Sequence, residues 1–194
     1  MKAKRTFFAL LLALAPCAAL ADYVGVAVGK TNNEWTPVGA SGDKDTSTFA
    51  KAFGGLEFGP HFALEIGVAN LGKFVDFPSQ NAQVSATDVS LTLVGRVQVH
   101  PQWDLFGRWG VGGWNAKWDV AGSSAKKTGL GQIVGLGFDY RAKWLPDRFA
   151  LSLEWEQYQN VGEGATAGSN RLMGQNVDVL ELNLIYRFNL EPGR

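Results

Sequence analysis

The chain carries two imidazoles, His61 and His100, and one thiol, Cys17. A hydrolytic or acyl-transfer site would need a histidine beside Ser, Asp or Glu where a substrate can approach. Each histidine instead adjoins a proline, in Pro60-His61 and His100-Pro101, between two apolar-patterned segments. Both are therefore expected as turn residues rather than general bases, and no enzyme is expected. Two histidines and no cysteine beyond Cys17 leave no zinc-like constellation. Asp43-Lys44-Asp45 and Glu163-Gly164 read as solvated loop charges rather than calcium ligands. The glycine pairs are not followed by Gly-Lys-Ser/Thr before a helix, so they do not form a phosphate loop. No cofactor and no metal are expected.

What remains is a set of ionised side chains: Lys51, Glu57, Glu65, Arg96, Arg108, Asp139, Glu154, Glu181 and Arg187. Each sits on the polar half of a period-two alternation. In Phe62-Ala63-Leu64-Glu65-Ile66-Gly67-Val68-Ala69 the even positions are large and apolar, and the odd ones small or charged. In Asp88–Leu93 and Phe149–Trp155 the apolar set is odd. Such alternation means strands with one face in oil and the other in a polar space. The polar face carries Gly, Ala, Ser and Thr with isolated charges of both signs, unlike the Lys/Glu-rich face of a soluble sheet. It suits the narrow interior of a closed barrel whose other face meets lipid. Opposite charges in such a lumen must pair, because an unpaired ion with little water costs several kcal/mol. Glu65, Arg96, Arg108, Asp139 and Glu154 are the expected lumen charge network. Glu65→Ala is expected to destabilise more than double neutralisation of Glu65 and its partner.

Eight segments position these residues: Tyr23–Lys30, Thr48–Phe58, Phe62–Gly72, Thr87–Val99, Trp103–Trp118, Thr128–Tyr140, Arg148–Tyr158 and Gln175–Phe188. Connections 59–61, 100–102 and 141–147 are short. Connections 31–47, 73–86, 119–127 and 159–174 are longer and rich in Gly, Ser, Asn and Asp. Short and long alternate, as in an all-β, eight-stranded antiparallel up-and-down transmembrane β-barrel with short periplasmic turns and both termini in the periplasm. A soluble lipocalin-like barrel is the structural alternative. Phe58, Phe62, Trp103, Tyr140, Phe149, Tyr186 and Phe188 lie by the short turns. Trp35, Trp114, Trp118, Trp155 and Tyr158 lie toward the long loops, so two aromatic belts are expected. The many glycines within strand patterns, at 24 of 194 residues overall, permit close backbone approach and curvature.

The N-terminus supplies an export address. Lys2, Lys4 and Arg5 precede an apolar run from Phe7 to Ala15, and Ala19-Leu20-Ala21 fits a cleavage site. Residues 1–21 are expected to be a cleaved signal peptide, residues 22–188 the barrel, and residues 189–194 a short periplasmic tail. The apolar run is too short to span a bilayer, which takes about 20 residues. Cys17 is expected to leave with the signal; lipidation there is the alternative, though Pro16 fits a lipoprotein box poorly. Cleavage leaves 15 basic against 18 acidic residues, a net charge of −3. That is too small to argue for nucleic acid.

Several stretches resemble the membrane domain of the OmpA family. Ala52-Phe53-Gly54-Gly55-Leu56-Glu57-Phe58-Gly59-Pro60, with Ala63-Leu64-Glu65-Ile66-Gly67 and Leu71-Gly72, is similar to that family's second hairpin. Trp103–Gly110 resembles its fifth strand, Leu153–Tyr158 with Asn160-Val161-Gly162 its seventh, and Ile185-Tyr186-Arg187-Phe188 its last. The resemblance implies a bacterial outer-membrane barrel whose lumen charges block or gate the interior. Glu65, Arg108, Asp139 and Glu154 match inward polar positions of the family, and Arg96 is displaced by two residues while staying inward. It further implies a structural or surface-interaction role through four extracellular loops. The alternative is a small pore or conduit for ions or hydrophobic solutes, with the network as gate. Expected partners are outer-membrane lipid and lipopolysaccharide, the assembly machinery through the C-terminal strand Leu180–Phe188, and an external partner at the loops. The family carries a peptidoglycan-binding domain after the barrel, whereas this chain stops six residues past Phe188. A role that depends on gripping the cell wall is therefore not expected of it.

Overall fold

A computed structural model describes residues 21–33, 45–77, 82–120, 123–162, 166–167, 170–171 and 175–188. Its strands in chain order are β1 Tyr23–Asn33, β2 Asp45–Phe58, β3 Phe62–Phe77, β4 Ala82–His100, β5 Trp103–Val120, β6 Ser123–Tyr140, β7 Phe149–Val161, β8 Thr166–Ala167, β9 Asn170–Arg171 and β10 Gln175–Arg187. All but β8 and β9 form one closed barrel in the order β1-β2-β3-β4-β5-β6-β7-β10, every neighbour antiparallel. Closure comes from β1, which pairs with β2 on one edge and with β10 from Tyr23↔Arg187 to Asn32↔Asp178 on the other. No strand edge is left open along that seam, as lipid requires. The two-residue strands β8 and β9 pair only with each other, between β7 and β10.

The alternation sorts the faces. Along β3, Ala63, Glu65, Gly67 and Ala69 are buried or nearly so, while Phe62 and Ile66 are exposed. Val89, Leu91 and Leu93 of β4, Val26 and Val28 of β1, and Leu180, Leu182 and Leu184 of β10 form an outward apolar band. Near the short turns this band ends in aromatic pairs. Trp103 stacks on Tyr140 at 4.4 Å, and Tyr186 meets Phe149 at 5.1 Å and Phe188 at 5.2 Å.

Two expectations about the opposite end are corrected. Residues 73–86 and 119–127 are mostly strand: Lys73↔Ser85 through Phe77↔Ala82 continue the β3–β4 ladder, and Ala116↔Lys127 through Val120↔Ser123 continue β5–β6. Connection length therefore does not alternate, since 121–122 is shorter than 141–148. These stretches resemble loops because their outward residues, above the lipid band, include Lys73, Ser85, Ser124 and Lys126. The β3 extension depends on Gly72, whose φ of +71° lets the strand bulge; a Cβ there would lie against Thr48 O. The second correction concerns the outer aromatic belt. Trp155 is exposed, but Trp114 and Tyr158 are buried inside the barrel at 3% and 1% exposure. Each shares the parity of its strand's inward residues. Trp35, the side chain of Trp118, Cys17, Asp43-Lys44, Glu163-Gly164, the signal residues 1–20 and the tail 189–194 lie outside the described residues.

Candidate functional site: the lumen ion ladder

The inward charges converge into one connected ladder because neighbouring strands bring them to adjoining levels. At the short-turn end, Glu57 of β2 accepts from Arg96 of β4 at 3.0 Å and from Arg187 of β10. Arg96 also lies 3.5 Å from Glu65 and 3.6 Å from Asp139, with Arg187 4.0 Å from the same aspartate. Tyr23 knits this tier together. Its hydroxyl donates to Glu65 at 2.5 Å and accepts from Arg96 at 2.9 Å, while the Arg96 and Arg187 guanidiniums face its ring.

Arg108 of β5 is the central rung. It donates to Glu65 at 2.8 Å and to Glu154 of β7 at 3.0 Å, and it lies 3.8 Å from Glu156. Its Nε also meets Glu154 closely. Above it, Lys51 Nζ lies 2.7 Å from Glu156 and 3.1 Å from Glu181. Tyr158 donates to Glu156 at 2.9 Å and Asn183 to Glu154 at 3.3 Å. The ladder holds six carboxylates (Glu57, Glu65, Asp139, Glu154, Glu156, Glu181) against four cations (Lys51, Arg96, Arg108, Arg187). All of these side chains except Glu57 and Arg187 are nearly or fully buried.

Glycine makes the middle rung possible. A Cβ on Gly135 would lie 2.8 Å from Glu154 Oε1 and 2.9 Å from Arg108 Cγ, too close for either to stay. Gly55 plays the same part under the Tyr23 ring. The strand glycines thus clear space for lumen side chains as well as permitting curvature.

The ladder divides the interior. Toward the long connections lies an apolar plug that includes Phe49, Leu71, Trp114, Ile133, Val161, Val177 and Val179. Asp88 sits at that level, buried, and its Oδ1 has no hydrogen-bond partner among the described residues. Toward the short turns is a vestibule of about 470 Å³, where Arg141 pairs with Asp104 at 3.0 Å.

Glu65, Arg96, Arg108, Asp139 and Glu154, read from sequence as the network, all meet in this ladder, as do Lys51, Glu57, Glu181 and Arg187. Sequence reading passed over Glu156, Tyr23, Tyr158 and Asn183. Glu156 had a usable signal, since it shares the parity of Glu154. Tyr23 had none, being the first residue of its strand. Carboxylate oxygens of Glu154, Glu156 and Glu181 come within 4.8 Å of one another, a grouping that suits a cation. Lys51 and Arg108 already fill that role. His61 Nδ1 lies 3.2 Å from the Arg96 carbonyl, and His100 Nδ1 accepts from the Gln102 amide at 3.3 Å. Both are turn and strand-end groups outside the ladder.

A closed antiparallel barrel with an apolar outer band, an aromatic fringe and a charged interior defines a class, the integral barrels of the bacterial outer membrane. Within it, the model of the outer membrane protein beta-barrel domain matches residues 7–188, and this chain belongs to that family. Outer membrane protein A of Salmonella typhi is 28% identical over 145 residues, covering 72% of this chain and 39% of that protein. The chain therefore spans well under half the length of that relative. Neisserial surface protein A superposes with a TM-score of 0.64 at 12% identity, covering 86% of this chain and 96% of its own. Ail of Yersinia pestis gives 0.51 at 16%, covering 87% and 99%. The N-terminal barrel of Pseudomonas aeruginosa OprF gives 0.53 at 10%, covering 86% and 98%. At these identities the likeness is one of fold. The protein resides in the bacterial outer membrane.

Proposed function

We propose that this barrel is a sealed, non-enzymatic element of the envelope whose contacts with other molecules are made by the connections at its outer end. The observation that carries this reading is the ion ladder. A lumen crossed by Glu57, Arg96, Glu65, Arg108, Glu154, Glu156, Lys51 and Glu181, with an apolar plug above, leaves the outer rim as the surface for recognition. Loops carried on a rigid scaffold are where binding residues concentrate. A barrel of the same fold, Ail, has been solved in complex with the heparin analogue sucrose octasulfate, a precedent for external contacts on such a scaffold.

A second reading, a narrow gated pore, draws on one feature of the same ladder. Arg108 is shared between Glu65 below and the Glu154–Glu156 pair above, so a partner exchange at that one side chain would break the ladder at its central rung. Thiol accessibility separates the two. Ser90→Cys places a thiol on the buried inward face and Ser124→Cys one on the exposed outer rim. The sealed reading expects a charged thiol reagent to label the Ser124→Cys variant quickly. It expects the Ser90→Cys variant to stay unreacted from either side of the membrane. Comparable labelling of both variants would favour the pore.

A further inference from the structure

The two ends of the interior differ in the space they keep. Toward the long connections the apolar plug packs the barrel. Toward the short turns the last tier of the ladder is the floor of the vestibule, whose volume of about 470 Å³ lies in the range of small-molecule sites. Its lining reverses the charge balance of the ladder. The cations are Arg96, Arg141, Lys143 and Arg187. Only three carboxylates line it with them, those of Glu57, Asp104 and Asp147. Behind this tier, Glu65 and Asp139 also stand near Arg96, so the surplus falls at Arg141 and Lys143. Lys143 is exposed and has no ion-pair partner among the described residues.

The cations stand at two places. Arg96 and Arg187 converge on one oxygen, Oε1 of Glu57, so a single acceptor serves two guanidiniums. Arg187 Nη2 is 4.0 Å from Asp139, beyond hydrogen-bond reach. The second place is Arg141, just past β6, which gives Nη2 to Asp104 at 3.0 Å. A guanidinium has five N–H donors, so both places keep donors to give. In barrel order β6 lies two strands from β4 and two from β10, which puts about 10 Å of wall on either side of Arg141. The turns pin both places. The Arg96 amide donates to the His61 carbonyl at 2.7 Å and the Arg141 amide to the Gln102 carbonyl at 2.9 Å. A site held in this way spends little on ordering itself around a ligand.

We infer that the vestibule binds a compact oxyanion bearing two or more acidic groups, taken from the solution on the short-turn side. One acidic group sits against Arg96 and Arg187, adding acceptors to the single oxygen they share. The other sits against Arg141 and Lys143. Guanidinium forks match the oxygens of carboxylates and phosphates alike, and the separation of the two places selects for a second acidic group. This goes beyond the outer-rim reading, because it gives the opposite end of the barrel a ligand of its own. Its failure would leave that reading untouched.

The test titrates the full chain, folded in phosphatidylcholine nanodiscs that leave both ends accessible, at low salt. Citrate, pyrophosphate and inorganic phosphate are the probes, with calorimetry and the urea midpoint as readouts. Citrate or pyrophosphate is expected to bind one to one and to raise the midpoint with concentration; the tighter of the two tells a carboxylate site from a phosphate site. Inorganic phosphate, which reaches one place only, is expected to bind at least about tenfold more weakly. Arg141→Gln is expected to weaken binding about 10- to 100-fold, the loss of one charge-assisted hydrogen bond. Where that variant fails to fold, Lys143→Glu in the exposed turn is expected to bind about fivefold more weakly. Lys126→Gln, at the far end of β6, is expected to behave as the parent. Parental affinity in Arg141→Gln or Lys143→Glu, or an equal loss in Lys126→Gln, would overturn the assignment. So would inorganic phosphate binding as tightly as the larger anions, or no binding of either larger anion by the parent chain.

Discussion

Replacing Arg108 by methionine is expected to destabilise the barrel far more than replacing Glu65 by glutamine, although the two residues share one ion pair. Six carboxylates face four cations in the ladder, and Arg108 serves three of those carboxylates: Glu65 at 2.8 Å, Glu154 at 3.0 Å and Glu156 at 3.8 Å. Its loss raises the imbalance to six against three and leaves Glu154 and Glu156 dependent on Lys51. Breaking a buried pair from one side costs about 3–5 kcal/mol. Glu65→Gln instead reduces the excess of negative charge, keeps a polar partner for Tyr23 and Arg96, and should cost about 1–2 kcal/mol. The double variant should be more stable than Arg108→Met alone by about 1 kcal/mol, which with the cost of Glu65→Gln makes a coupling of about 2–3 kcal/mol, within the range for contacting residues. The expectation formed from sequence is that loss of Glu65 alone costs more than neutralising Glu65 together with its partner; the excess of carboxylates in the ladder reverses that order where the partner is Arg108. Urea unfolding in lipid vesicles, followed by fluorescence of the seven tryptophans, measures all three. Arg108→Met within about 0.5 kcal/mol of the parent, or strict additivity of the two changes, would refute the reasoning.

Other positions give sharper local tests. Gly135→Ala should cost about 1–3 kcal/mol by driving Glu154 and Arg108 apart, and the same urea assay reads it. Lys51→Met, which leaves Glu156 and Glu181 without their nearest cation, should cost about 3–5 kcal/mol, much as Arg108→Met does. Adding Glu181→Gln should recover part of that loss, and no recovery would place the cost elsewhere. Leu182→Lys, on the exposed apolar face of β10, should lose about 2–4 kcal/mol in a bilayer. In a detergent micelle, which bends around the charge, its loss should be smaller.

How much of this was legible in the chain depended on parity. Alternation assigned Glu65, Arg96, Arg108 and Glu154 to the inside, because each sits in a run where large apolar residues hold the other face. It also contained Glu156 and Trp114, which share parity with Glu154 and Gly112, but the charge set read from sequence omits Glu156, and the size of Trp114 suggests an interface aromatic. The extensions of β3–β4 and β5–β6 were illegible for a different reason. Above the lipid band the outward face turns polar, as at Thr128, Lys126 and Ser124, while buried apolar residues such as Ala86 and Ala116 take the inward face, so the contrast that marks a lipid-facing strand is inverted there. Partner choice inside the lumen was also out of reach. Arg108 reaches Glu65, 43 residues away, and Glu154, 46 residues away, and which levels meet across a barrel is set by the strand stagger rather than by any local pattern.

The central claim, that the ion ladder closes the lumen, is tested most directly by single-channel recording of the folded barrel in a planar bilayer. The account predicts a silent membrane for the parent chain, with discrete openings once Arg108→Met removes the central rung and Trp114→Ala opens the apolar plug above it. Frequent, reproducible openings of the parent chain, unchanged by Arg108→Met, would contradict it.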